Sequence, residues 1–122
     1  MMAGAVALAW LGMYVHNVAD LPGLTMASPE NSLPGLVWLA LLALWWWLPD
    51  QRWPAHLLLA WGALNLVGGV ATVLPLPFLP FRPSQSLRHY SFHALYAAAQ
   101  LLVLRLAWAE SGRTTAQRRR AA

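Results

Sequence analysis

Four long apolar runs, separated by short joints that carry proline and charge, constrain this chain more than any other feature. They cover about 2–19, 34–48, 55–74 and 90–108, and the first three contain no ionised Asp, Glu, Lys or Arg. A span needs roughly 20 consecutive apolar residues to cross a bilayer, and inside hydrocarbon every backbone N–H and C=O needs an internal partner. No run alternates with the two-residue period of a barrel strand, so the reading is helical. The expectation is an all-α integral membrane protein: a four-transmembrane-helix bundle with a short second helix and a Pro-rich outer loop. Residues 1–110 form its single domain and residues 111–122 a basic cytoplasmic tail.

Composition supports this. Of the 122 residues, 59% are hydrophobic and only 10% charged, against about 25% charged in soluble domains. The 8 tryptophans suit a chain with two membrane–water interfaces to fill. The first run has no basic segment ahead of it, and Val18-Ala19-Asp20 is a poor cleavage site, so it reads as a retained helix rather than a secretory signal. The second is short, and is expected to stand nearly upright or to end at the interfacial Trp45-Trp46-Trp47. Pro34, Pro54 and Pro75 read as boundaries, because a proline is tolerated at a helix start and not in its interior.

Arginine sets the orientation. If the runs cross in turn, Arg52, Arg105, Arg113 and Arg118-Arg119-Arg120 fall on one side, and only Arg82 and Arg88 on the other. The positive-inside rule then places the N- and C-termini in the cytoplasm of a multi-pass cell-membrane protein. Trp45, Trp46, Trp47, Trp53 and Trp108 form a belt at the inner interface. The net charge of +4 is concentrated in the tail, where it meets anionic lipid. A nucleic-acid binder needs a basic face on a folded module, and none is present. Cysteine is absent, which removes disulfides, thiol catalysis and Cys-ligated metal clusters.

With this orientation the costly polar side chains gather at the outer face. His16, Asn17 and Asp20 close the first helix; Glu30, Asn31, Arg82 and Arg88 lie in the outer joints; His89, His93 and Tyr96 open the fourth helix. Steps of three and four put Ala5, Ala9, Gly12, His16 and Asp20 on one face, and His89, His93, Tyr96 and Gln100 on another. Trp61, Asn65 and Thr72 share a face of the third helix, while the second run offers no polar residue. Helices 1, 3 and 4 are therefore expected to pack on small and polar faces, leaving helix 2 the most lipid-exposed.

Three chemistries fit such a cluster. His16, Asp20, His89 and His93 form two i, i+4 pairs that suit a transition metal. His16 and His93 on facing helices suit axial ligation of haem b. Histidine and tyrosine with two arginines suit a quinone or lipid head group. Against these stands a plain structural use, in which helix-end histidines bond loop groups and Arg88 pairs with Asp20 or Glu30. The pattern H-x-x-x-H without the glutamate of a metalloprotease carries little specificity.

The segment from Leu74 to Pro83 is apolar and Pro-rich, and is expected to cap the outer end or dock on a partner through Phe78 and Phe81. No glycine-rich phosphate loop, no Gly-x-Ser-x-Gly elbow and no catalytic carboxylate pair is present. The function expected from these residues is a non-catalytic subunit or assembly factor of a larger membrane complex. The alternatives are a metal- or haem-binding membrane protein, a quinone- or lipid-binding protein, or an oligomeric transporter.

Overall fold

The computed structural model describes residues 1–80 and 82–112. Phe81, Arg113 and the Arg118–Arg120 triplet, with the rest of the basic tail, lie outside the described residues. The described chain is helical: α1 (Met2–Asp20), α2 (Pro29–Trp47), α3 (Arg52–Asn65) and α4 (Leu87–Ser111). α3 continues through a wide π turn, Leu66–Val70, and a tight 3₁₀ turn, Ala71–Val73.

Three helices are long and apolar enough to cross a membrane: Met2–Asp20, Arg52–Val73 and Leu87–Ser111. α2 is as long as α1, at 19 residues. It begins Pro-Glu-Asn-Ser, however, and this polar turn shortens its apolar part. The helices form a ring in which α4 packs against α1 and α3, and α2 closes the circle between α1 and α3.

Proline explains where the boundaries move. α2 starts at Pro29 rather than at Pro34, with Ser28 extended ahead of it, Pro29 in the first turn and Glu30 beside the helix N-terminus. Pro34 lies inside the helix and cannot donate to the Glu30 carbonyl one turn back. That carbonyl receives the Asn17 side-chain amide instead, at 3.4 Å. α3 starts at Arg52, capped by Asp50 Oδ1 at 3.0 Å from the Arg52 N–H. Pro54 then falls in the first turn, where its missing N–H costs nothing. α4 starts at Leu87, because Ser86 caps it by accepting the His89 N–H at 3.2 Å.

Small residues set the α1–α4 approach. Ala5, Ala9 and Gly12 are buried against the face of α4 that carries Tyr96, Gln100, Val103 and Ala107. A Cβ on Gly12 would lie 3.0 Å from Ala99 Cβ and 3.5 Å from Tyr96 Cα, so a larger residue would push the helices apart. Gln100 is fully buried and donates to the Ala9 carbonyl at 3.0 Å. In lipid such close backbone approach and interhelical hydrogen bonding carry the association that water-driven burial supplies elsewhere. α2 contributes Trp38 and Trp45 to the core. Its remaining surface, including Leu33, Leu36, Leu39, Trp46 and Trp47, is exposed.

The π turn has a local cause. Asn65 donates its side-chain amide to the Trp61 carbonyl at 2.8 Å, competing for the acceptor of a regular helical bond. Gly68 and Gly69 follow and favour the helix weakly. The widened turn brings Gly69 against α4: a Cβ there would stand 2.3 Å from the Tyr96 ring.

Candidate metal centre

The C-terminal end of α1 and the N-terminal end of α4 meet, and they bring His16, Asp20, His89 and His93 together. His16 Nε2 lies 2.8 Å from His93 Nε2, with the rings edge to face at 4.2 Å between centroids. His89 Nδ1 lies 2.7 Å from Asp20 Oδ2, and His16 Nε2 is 3.6 Å from the same oxygen. One ring nitrogen from each of His16, His89 and His93 falls within 4.8 Å of the other two. His93 is buried, and its two neighbours are half-buried.

A chain of hydrogen bonds fixes the protons. Asn31 Nδ2 donates to the Thr25 carbonyl at 2.8 Å, and a carbonyl only accepts. Asn31 Oδ1 must therefore be the acceptor for Asn17 Nδ2, also at 2.8 Å. That orients Asn17 Oδ1 toward His16 Nδ1 at 3.0 Å, so His16 Nδ1 carries the proton. In the neutral ring this leaves the lone pair on Nε2, the atom facing His93. On the other helix the Asp20 carboxylate accepts from His89 Nδ1–H and leaves the His89 lone pair on Nε2 by the same logic. Ligating histidines are held this way by a carboxylate or carbonyl behind the ring. His93 differs. Its Nδ1 is buried and has no hydrogen-bond partner among the described residues.

Tyr96 forms the floor of the cluster: it stacks on His16 at 5.9 Å and donates to Asn65 Oδ1 at 3.0 Å, tying α4 to α3. Arg88 reaches the Ala19 carbonyl rather than Asp20 or Glu30, and so binds the end of α1 directly. Glu30 is exposed and takes part only through its backbone carbonyl. Arg82 stands apart from the histidines, on the wall of an open cleft of about 770 Å³ that His16, Asp20, His89 and His93 also line.

Sequence reasoning placed Asn31 in the outer joint beside Glu30 and missed that it is part of a helix. It is fully buried and belongs to α2, which therefore does contribute a polar side chain to the cluster. Its signal was the Ser-Pro-Glu start at 28–30, which reads as a helix N-terminus once Pro34 is allowed inside.

The donor set suits a small cation and not haem. Two nitrogens bound to one tetrahedral zinc stand about 3.3 Å apart, given bonds of about 2.0–2.1 Å. The His16 and His93 nitrogens at 2.8 Å need to spread only slightly to reach that. Axial ligation of haem requires iron and its macrocycle between the two nitrogens, and edge-to-face rings in direct contact leave no slot for it. Comparison with protein-family profiles, curated proteins and solved structures finds no match to this chain.

Proposed function

We propose that this chain is a multi-pass membrane protein that binds one divalent transition metal through His16, His89 and His93, with Asp20 and Asn17 orienting the rings. The observation that carries the reading is the convergence of three histidine nitrogens within 4.8 Å, with His16 and His89 each bonded through Nδ1 to a neighbouring side-chain oxygen. Three imidazoles with an open fourth side match a zinc centre that keeps a position for water or ligand. Imidazole also accepts copper, iron and nickel, so zinc is the first ion to test and not the only one. The arginine distribution supports a topology with all four helices spanning, both termini in the cytoplasm and the centre at the outer face.

The test is metal content and zinc titration of the protein purified gently from native membranes. One equivalent of bound metal is expected, abolished in His93→Ala while the helical circular dichroism is retained. A well-folded wild-type protein that takes up no metal at micromolar zinc would overturn the reading.

A second reading, an accessory subunit of a larger membrane complex, is favoured by the outer loop. Phe78 is 77% exposed on a Pro-rich segment that belongs to no helix. An exposed aromatic on an irregular loop fits a protein contact. In the same purification, Phe78→Ser should release the chain from its complex with its metal still bound. An unchanged complex would count against docking through this loop.

A further inference from the structure

The cleft beside the histidines carries charge that the metal reading does not use. Its far wall holds Arg82 and Arg88, with Ser84 and Ser86. Among the described residues neither guanidinium is paired with a carboxylate. Asp20, the one acidic residue lining the cleft, is committed to His89. The N-terminus of α4 opens at the same place: Ser86 caps the His89 N–H, and the positive end of a 25-residue helix faces the cavity.

We propose that this cleft binds a phosphate ester, with one phosphoryl oxygen at the open position of the metal and the others on Arg82 and Arg88. The proposal rests on the metal reading for its first contact. A phosphoryl group presents three oxygens and up to two charges, which matches an open metal position, two guanidiniums and a helix N-terminus more fully than the single charge of a carboxylate. The volume, about 770 Å³, is far more than a bare phosphate fills, and Leu21 and Pro22 add an apolar wall for an organic substituent. Sited at the end of membrane-crossing helices, the cleft is open to a phospholipid head group and to a soluble phosphate ester alike.

The experiment uses the full chain, in detergent for soluble ligands and in nanodiscs for lipid, with and without zinc. Inorganic phosphate and glycerol phosphate are titrated calorimetrically, and phosphatidic acid is compared with phosphatidylcholine as the nanodisc lipid. Zinc-loaded protein should bind phosphate at least tenfold more tightly than zinc-free protein. Arg82→Gln and Arg88→Gln should each weaken it at least tenfold with zinc retained. Arg82→Gln is the cleaner variant, because Arg88 also holds the Ala19 carbonyl. Tighter binding of phosphatidic acid identifies a lipid head group as the source, and tighter binding of glycerol phosphate a soluble ester; both support the site. Zinc binding with no phosphate binding at millimolar concentration, or phosphate binding unchanged in both arginine variants, would overturn the proposal and leave the metal centre standing. Arginine-dependent phosphate binding by a protein that takes no zinc would retain the anion site and refute the metal.

Discussion

Replacing Asn31 by alanine separates a metal centre from a structural knot. The Asn31 amide is fully buried and stands between the Thr25 carbonyl and the Asn17 amide, each 2.8 Å away. Truncation strands both partners, and a buried group left without its bond costs about 1–3 kcal/mol. The two costs differ. Thr25 is exposed, so water can replace its lost donor, while Asn17 keeps only the longer contact to the Glu30 carbonyl at 3.4 Å. The stability loss should therefore fall near the lower end of the combined range, at about 2–3 kcal/mol.

The effect on the metal runs through a different route. Without Asn31, only the longer bond to the Glu30 carbonyl, at 3.4 Å, holds the Asn17 amide in its orientation, and His16 is freer to carry its proton on Nε2, where it blocks ligation. Loss of such a partner behind a ligating histidine costs about 10–100-fold in metal affinity. Because the change acts on Asn17 at one remove, the expected loss is about tenfold, or about 1.4 kcal/mol. Zinc affinity by competition with a chromophoric chelator, together with thermal unfolding in detergent, reads the two quantities separately. A full stability loss with zinc affinity unchanged within twofold would refute the role of the asparagine chain in setting the His16 tautomer.

Two further outcomes check the fold and the topology. Gly69→Ala should destabilise the bundle by about 1–3 kcal/mol through overpacking. Its Cβ would meet the buried Tyr96 ring at 2.3 Å, whereas Gly68→Ala, with nothing within 4 Å, should leave thermal stability close to wild type. A reporter that is active only outside the cytoplasm should be silent when fused after Ala122, and activity there would reverse the assigned orientation.

The sequence displays the two polar helix faces because helical arithmetic alone puts His16 with Asp20, and His89 with His93, Tyr96 and Gln100. That these faces meet at one depth is a property of packing: Ala5, Ala9 and Gly12 allow the approach, and Gln100 fixes its register on the Ala9 carbonyl. Asn31 was hidden because Pro34 looked like a helix start, and a proline is tolerated one turn in only when another donor reaches the freed carbonyl. Asn17, 13 residues before Glu30 and in a different helix, is that donor. The Arg88 contact escaped for a related reason. Charge pattern suggests a carboxylate partner, but the closest acceptor is the backbone at the end of α1.

Buried polar groups in a membrane bundle are costly, and a network that serves only to tie helices should close on itself. Part of this one does: Tyr96, Asn65 and the Trp61 carbonyl form a complete chain from α4 to α3. The histidine end joins α1 to α4 through one bond between two rings, His16 Nε2 to His93 Nε2 at 2.8 Å. His16 Nδ1 bonds Asn17, and His89 Nδ1 bonds Asp20, whose Oδ2 also lies 3.6 Å from His16 Nε2. With the proton on His16 Nδ1, His93 Nε2–H donates to His16 Nε2, and the buried His93 Nδ1 is left without a hydrogen-bond partner among the described residues. A cation ligated at Nε2 would move the His93 proton to the buried, unpartnered Nδ1. The same step would replace the nitrogen–nitrogen contact by two metal bonds. Helix tying accounts for the tyrosine half of the network, and at the other half the proposed cation would take the place of a single bond between two rings.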